Sequence, residues 1–173
     1  VWAIDINKEY ILQTKQLTKK ATVGFGDIEK GEYFFKGKRF DSIVCINVLE
    51  HIKDDFKAVN NLYKLLKPNG YLILLVPAHP FLHGEIDKAI YHYRRYTKKK
   101  VVAKLENGGF NILDFKTINF MGALGWFISG RVLKNKIIGQ SKIKLFNRLA
   151  PFFLKTEDLI SPPFGTSFLV IAK

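Results

Sequence analysis

The stretch RFDSIVCINVLEHI, residues 39–52, decides the fold class. Its apolar run at 43–46 leads directly into the polar Asn47. A short, continuous apolar run of this kind is typical of a strand buried on both faces, as parallel strands between helices are. Asn47, Glu50 and His51 then lie beyond the carboxyl end of that strand, where open α/β sheets bind their ligands.

The rest of the chain alternates strand patterns with helix patterns. Strands are predicted at 1–7, 21–27, 71–77, 111–120 and 165–173, and helices at 8–20, 54–66 and 97–109. Asp54 and Thr97 are the expected N-caps, and Gly108-Gly109 the expected C-terminal stop. This order predicts one α/β domain over residues 1–173 with a doubly wound sheet.

Composition excludes several classes of protein. With 47% apolar and 25% charged residues among 173, the chain is expected to fold around one core. The single cysteine, Cys45, lies in an apolar run and is expected to pack there, so no disulfide framework forms. No apolar stretch approaches the roughly 18–20 residues of a membrane span, and no secretory leader is recognisable. A cytoplasmic protein is expected.

The net charge of +13 favours an anionic partner, such as nucleic acid, a phosphorylated substrate or acidic lipid, without choosing among them. Lysines spread over solvated helix faces would give the same total. The excess is concentrated at 115–156, which holds eight basic residues and no acidic one.

Acidic side chains follow two of the predicted strands. Asp5 ends the first strand, and a carboxylate there can accept hydrogen bonds from ribose hydroxyls. Asp27 follows the second strand behind Gly26, where it could accept from an exocyclic amine of a base. Asp5 could also be a simple helix cap.

Four motifs in order resemble class I S-adenosylmethionine-dependent methyltransferases of type 11/12: AIDIN (3–7), GDIE (26–29), FDSIVCINVLEHI (40–52) and LLKPNGYLILLVP (65–77). The resemblance implies a Rossmann-like sheet, mostly parallel with an antiparallel last strand, and S-adenosyl-L-methionine as cofactor. It implies methyl transfer to a small molecule or to a glycan- or lipid-linked acceptor.

The resemblance also assigns the cofactor contacts. They are Asp5 on the ribose, Ile6 on the adenine, Asp27 on the adenine amine with Ile28 beside it, and Asn47 and Val48 at the methionine end. Glu50 and His51 match the family's LEH signature, where holding the loop is favoured over a chemical role.

Two further segments, HGEIDKAIYHYRRYT (83–97) and PPFGTSFLVIAK (162–173), resemble a subgroup linked with assembly of lipid-linked saccharides. The implied substrate contacts are His79, His92, Arg94, Arg95 and Tyr96. An arginine pair can hold a phosphate or carboxylate. The alternative is that the tyrosines pack and the arginines cap a helix. The expected acceptor is anionic or saccharide-linked, and nucleic acid is not the expected partner.

Methyl transfer to a hydroxyl needs a base within hydrogen-bond reach. His83 and Glu85, on the loop after the 71–77 strand, are the catalytic candidates, chosen by position. The four histidines lack acids or thiols at ligand spacing along the sequence, so no metal site is expected.

Residues at about 121–160 mix aromatic and basic side chains. They are expected to form a helical lid or insertion over the substrate. The alternative is an amphipathic element that contacts an anionic membrane surface peripherally.

The family's first strand and glycine-rich turn have no counterpart before Asp5. In the family that strand lies between the strands carrying Asp5 and Asn47, so we expect the chain to be an N-terminally truncated piece of a longer methyltransferase. Two other classes stay open: a nicotinamide (NAD)-dependent oxidoreductase and a non-catalytic basic α/β binding module.

Overall fold

The computed structural model describes residues 1–137, 139–160 and 162–173. Within them the strands form two sheets, whereas the sequence predicts one. The first sheet has the order β1 (Trp2–Asp5), β2 (Thr22–Asp27) and β3 (Glu32–Tyr33). β1 and β2 are parallel, and β3 is antiparallel to β2. β3 is not among the predicted strands because two residues are too few to show a period.

The second sheet has the order β4-β5-β7-β6. Its strands are β4 (Phe40–Ile46), β5 (Leu66–Pro77), β6 (Ile112–Ile118) and β7 (Ser167–Ala172). β4 and β5 are parallel, while β7 is antiparallel to both β5 and β6. The predicted α/β class and the antiparallel last strand are therefore confirmed.

Helices connect the strands. They are α1 (Lys8–Leu17), α2 (Asp55–Leu65), α3 (Glu85–Ala89), α4 (Lys98–Asn107), α5 (Phe120–Trp126) and α6 (Gln140–Ile160), with a π-helical turn at Phe127–Val132. The predicted caps are present, since Asp54 accepts from the Lys57 amide at 3.0 Å and Thr97 from the Lys100 amide at 3.2 Å. The helix α4 is followed by Gly109 in the left-handed region, at φ 95°.

The boundary between α2 and β5 differs from the prediction. The sequence predicts a turn at 68–70, but β5 begins at Leu66, directly after α2. Leu66 pairs with Phe40 and Tyr71 with Ser42, so residues 67–70 bulge out of the sheet. The turn residues are thus accommodated inside a strand.

The hydrophobic core lies between the second sheet and the helices α2 and α4. Among its fully buried members are Leu72, Leu74 and Val76 of β5. Cys45 is buried in this core as predicted, and burial raises the pKa of its thiol to about 12. The thiol is therefore protonated and packs as an apolar group.

The helix α2 ties the first sheet to the second. The Asn61 side-chain amide donates to the main-chain oxygens of Ile28 at 2.8 Å and Glu29 at 3.2 Å, both just after β2. The Glu29 carboxylate accepts from the Asp54 amide at 2.9 Å. The loop after β2 is therefore fixed to the beginning and the middle of this helix.

Each sheet ends in an open edge, at β1 and at β4, and among the described residues these two strands are not paired with each other. On β4, Val44 and Ile46 are 59% and 52% exposed. These are the strands between which the resemblance places the family's first strand. The presence of such a strand in a longer chain stays a prediction.

The two glycines of β2 allow neighbouring side chains to pack closely against the backbone of this strand. A Cβ on Gly24 would collide with the ring of Phe34, and one on Gly26 would lie 2.7 Å from Ile4 Cβ. Neighbouring side chains therefore lie across the backbone of β2, and this glycine pair is part of a strand.

The segment between β6 and β7 contains α5, the π-helical turn and α6. The Glu157 carboxylate of α6 accepts from the Asn119 amide at 2.6 Å and the Phe120 amide at 2.7 Å. This carboxylate caps the beginning of α5 and fixes α6 against it. The lid function of 121–160 stays a prediction. Among the described residues, no helix has the length and apolar content needed to cross a bilayer.

Candidate active site

Asp5 lies at the carboxyl end of β1, as the sequence predicts. One carboxylate oxygen, Oδ1, accepts from the Asn7 amide at 2.7 Å. The other oxygen makes no hydrogen bond to the residues that the structure describes. The turn into α1 therefore orients the carboxylate and leaves one oxygen available for a ligand hydroxyl.

The neighbours of Asp5 and Asp27 differ in what they offer to a ligand. Asp27 Oδ1 accepts from the Lys30 amide at 3.0 Å, and Oδ2 lies 3.3 Å from Lys30 Nζ. Ile6 is 68% exposed, whereas Ile28 is 8% exposed and belongs to the core. Ile6 thus offers an apolar surface to a base, and the side chain of Ile28 does not.

Asn47 follows β4 in the left-handed region, at φ 50°, and its amide donates to the Leu75 carbonyl at 3.0 Å. Non-glycine residues adopt this conformation rarely, and such residues cluster at functional sites. Asn47 and Val48 are both exposed, so both are available to a ligand beyond the end of the strand.

The loop after β5 is organised by one buried carboxylate, that of Asp87. It accepts from four donors in four places along the chain: the Gly84 amide at 3.0 Å, His92 Nδ1 at 3.1 Å, Arg95 Nε at 2.7 Å and Trp126 Nε1 at 3.0 Å. Burial opposes ionisation, but these donors and the charge of Arg95 outweigh it and lower the pKa of Asp87 well below its usual range.

Arg95 is 6% exposed and its donors are engaged inside the protein. Besides Asp87, it donates to the carbonyls of Ala78 at 3.1 Å and Thr166 at 3.4 Å. Its guanidinium lies 4.9 Å from the centre of the Trp126 ring. The predicted grip of Arg95 on an acceptor phosphate is therefore not available in this geometry, because the guanidinium joins β5, β7 and α5 instead.

A second carboxylate, that of Asp55, holds the rest of the 92–97 segment. It accepts from Tyr96 Oη at 2.7 Å, Lys104 Nζ at 2.8 Å and Arg94 at 2.9 Å. Burial raises the pKa of Asp55, but these three hydrogen bonds outweigh it and lower the value overall. Arg94 also donates to the Lys53 carbonyl at 2.8 Å.

The structure thus places the predicted substrate contacts in different environments. Arg94, Arg95 and Tyr96 are engaged with protein groups, and the two arginines form ion pairs with Asp55 and Asp87 instead of capping a helix. The tyrosines do not all pack, since Tyr91 and Tyr93 are exposed while Tyr96 is buried.

His83, Glu85 and His79 lie on the loop after β5 in different environments. His83 Nε2 is 3.2 Å from the His92 carbonyl, and a proton on Nε2 would leave Nδ1 as an acceptor. Glu85 pairs with Lys88 at 2.7 Å, which lowers the pKa of that carboxyl. The His79 ring packs near Phe168 at 5.1 Å, and burial lowers its pKa.

Glu50 is fully buried in the 3₁₀ turn Leu49–His51. Neither of its carboxylate oxygens has a hydrogen-bond partner among the described residues. Burial raises its pKa to about 7. Its neighbours are His92, with Nε2 3.7 Å from Glu50 Oε1, and His51, whose ring is 4.7 Å from that of His92.

Sequence reasoning missed Asp87 and Trp126. Asp87 lies within the quoted HGEIDK motif, but position on the loop selects Glu85, two residues before it, as the catalytic candidate. The available signal was an apolar residue on each side of a charged pair, which favours a buried acid. Trp126 had no local signal, because its partner is 39 residues away.

Comparison with known proteins identifies the class. Residues 1–74 match the sequence family described as a methyltransferase domain. The resemblance to class I S-adenosylmethionine-dependent methyltransferases is thereby confirmed over this part of the chain. The match favours this class over a nicotinamide-dependent oxidoreductase.

Individual relatives agree with that class. An uncharacterized protein of Methanocaldococcus jannaschii is 32% identical over 105 residues, which is 60% of this chain and 44% of that protein. A ubiquinone biosynthesis O-methyltransferase of Coxiella burnetii is 27% identical over 97 residues, 48% of this chain and 41% of that enzyme. The chain therefore spans less than half the length of these curated relatives.

The fold is shared with solved structures. An S-adenosylmethionine-dependent methyltransferase of Mesorhizobium loti superposes with a TM-score of 0.65 at 12% identity, over 99% of this chain and 79% of that one. At this identity the likeness concerns the fold. The Rossmann-like methyltransferase architecture predicted from the sequence is confirmed.

The Asp87 hub generates a prediction about stability. Asp87→Asn should lower the free energy of unfolding at pH 7 by about 3–5 kcal/mol, because Arg95 stays buried without its counter-charge. The pKa of Asp87 is lowered in the folded state, so its contribution is present above about pH 4 and is lost as the pH falls below that value. Urea unfolding from pH 7 to pH 3 measures both effects.

The control is Asp114→Asn on the exposed side of β6, whose carboxylate, within the described ranges, accepts from the next amide alone. Its unfolding curve should follow the wild type at each pH. If Asp87→Asn unfolds at the same urea concentration as Asp114→Asn, Asp87 is not the hub described above.

Proposed function

We propose that this chain carries the cofactor- and acceptor-binding part of an S-adenosylmethionine-dependent methyltransferase. Its acceptor is a small molecule or a glycan- or lipid-linked compound. The observation that carries the proposal is the Asp5 carboxylate at the end of β1, oriented by the Asn7 amide and left with one available oxygen beside the exposed Ile6.

These residues fit the cofactor by their chemistry. Asp5 accepts hydrogen bonds from the ribose hydroxyls, and Ile6 packs against the adenine ring. Asp27 accepts from the adenine amine, for which its pairing with the exposed Lys30 must open. Asn47 and Val48 line the methionine end. The bound cofactor supplies a methyl group on a positively charged sulfur, and the protein aligns the acceptor atom with it.

His83 is the proposed base for an acceptor that carries a proton. Glu85 is the weaker candidate, since Lys88 stabilises its ionised form and makes it a poorer proton acceptor. The His83 ring is oriented by the His92 carbonyl. His79, after β5, and His92, after α3, stay proposed acceptor contacts.

Asp5→Ala tests the cofactor site. In the gene product that contains these 173 residues, the change should weaken binding of S-adenosylhomocysteine at least about tenfold, because a hydrogen bond to a charged group is worth about 1.5–3 kcal/mol. Calorimetric titration measures the dissociation constant. Asp41→Ala is the control, an exposed aspartate on β4 that pairs with Lys67. Equal affinity in both variants would contradict the assignment.

The same titration tests a proposal about the open edges of β1 and β4. We propose that a strand outside residues 1–173 pairs with both. The support is that both edges are open among the described residues and that the β4 edge carries the exposed Val44 and Ile46. Residues 1–173 alone should then bind S-adenosylhomocysteine weakly. Micromolar binding by these residues would argue against the added strand.

His83→Ala tests the base. At saturating cofactor and acceptor, the change should lower kcat roughly 10²- to 10⁴-fold, the usual contribution of a general base. The Asp5→Ala protein should instead show its main defect in cofactor affinity. Unchanged turnover in His83→Ala would remove this histidine as the base.

A lipid-linked acceptor is favoured by the exposed surface of α6. Leu145, Leu149 and Phe152 are exposed there, next to the exposed Lys144 and Arg148. In a helix these apolar and basic residues form adjacent stripes, which is the arrangement of an element that lies on an anionic bilayer surface. This supports a peripheral contact that brings the site to its acceptor.

Liposome co-sedimentation tests this contact. Binding should require acidic lipid and should fall at least about tenfold in Lys144→Glu/Arg148→Glu, because each basic residue near such a surface contributes about 1 kcal/mol. Lys99→Glu/Lys100→Glu on α4 makes the same change in net charge elsewhere and is the control. Equal loss in both double variants, or no binding by the wild type, would refute the contact.

A further inference from the structure

Three potential metal ligands meet although they are far apart in the sequence. Glu50 and His51 belong to the 3₁₀ turn after β4, and His92 belongs to the loop after α3. Each offers one ligand atom, and these atoms all lie within 4.8 Å of one another. The cluster of Glu50, His51 and His92 shares no residue with the proposed cofactor site, although Glu50 follows Asn47 and Val48 closely in the sequence.

The distance between two of these atoms suits a shared ion. His92 Nε2 lies 3.7 Å from Glu50 Oε1, which is too long for a hydrogen bond. Two donors at the usual 2.0–2.2 Å from one tetrahedral zinc ion are about 3.4 Å apart. A small adjustment of either side chain would give that spacing.

The tautomer of His92 is set by its other ring nitrogen. Nδ1 is 3.1 Å from the Asp87 carboxylate, which is ionised and can only accept, so Nδ1 carries the proton. Nε2 then presents a lone pair towards Glu50. A carboxylate behind a ligating histidine is the usual support of a metal site.

The Glu50 carboxylate is otherwise unexplained. It is fully buried, and both of its oxygens lack a hydrogen-bond partner among the described residues. Burying a polar group without a partner is costly. The buried base Arg95 pairs with Asp87. The Glu50 carboxyl group faces the two histidines instead.

We infer that Glu50, His51 and His92 bind a divalent transition-metal ion, with zinc the best fit. Two imidazoles and one carboxylate form a donor set that zinc accepts with a fourth position open. His51 is exposed, so the ion is reached from solvent on that side. The sequence did not predict this site, because its ligands come from two segments about 40 residues apart.

Zinc binding by the purified protein tests the inference. After treatment with a chelator and its removal, the wild type should bind one equivalent of Zn²⁺ in competition with a chromophoric chelator. His51→Ala removes an exposed ligand and should weaken binding by at least about tenfold, as should Glu50→Gln. Circular dichroism checks that both variants are folded. Glu106→Gln, an exposed position on α4, is the matched control and should bind as the wild type does.

A second measurement does not depend on Glu50→Gln being folded. Co²⁺ added to the wild type should produce visible absorption bands of a low-symmetry nitrogen and oxygen site, and these bands should be altered in His51→Ala. Failure of the wild type to bind Zn²⁺, or equal binding by the wild type and His51→Ala, would overturn the site. These readouts are independent of methyl transfer.

Discussion

The buried carboxylate of Asp87 is the interaction on which the loop beyond β5 depends. Its two oxygens receive hydrogen bonds from an amide, an imidazole, a guanidinium and an indole. The indole is that of Trp126 in α5, so the helical segment after β6 is joined to this loop through the same group. Arg95 extends the connection to the carbonyls of Ala78 and Thr166, next to β5 and β7.

Asp55, the first residue of α2, performs a similar role. Its carboxylate binds Arg94, Tyr96 and Lys104, and it thereby joins the 92–97 segment and α4 to α2. The two carboxylates together explain why a motif with two arginines and two exposed tyrosines is built mainly for structure. The loop that they fix presents His83 and His92 in defined positions. Imidazole groups are suited to proton transfer and to ligation of a metal.

The two sheets are connected by side chains at α2. Asn61 and Glu29 hold the loop after β2 against the second sheet's helix layer, while within the described part of the chain the edge strands β1 and β4 are not paired with each other. Asp5 and Asn47 follow these two edge strands. The proposed cofactor residues therefore lie at the ends of two open edges, which is why a pairing strand and cofactor binding are coupled in our proposal.

Local patterns predicted what depends on neighbours in sequence. The strand at 40–46, the caps at Asp54 and Thr97 and the α/β class of the domain follow from apolar patterns and from side chains that bond to amides three residues away. The predicted burial of that strand on both faces is wrong, since Val44 and Ile46 are 59% and 52% exposed. Asp5 could be assigned for the same reason, because the end of a strand is a local feature. Position alone did not distinguish Ile28, which is buried, from Ile6, which is exposed.

The tertiary structure alone decided how the polar side chains are paired. Arg95 and Tyr96 are predicted to face an acceptor, but their partners Asp87 and Asp55 are brought to them by packing of separate elements. The meeting of Glu50, His51 and His92 likewise depends on where two loops end. The sequence by itself determined the strands and helices, since these arise from short-range hydrogen bonding and burial. Which charges neutralise each other was determined only by the fold, because such pairing depends on distances in space.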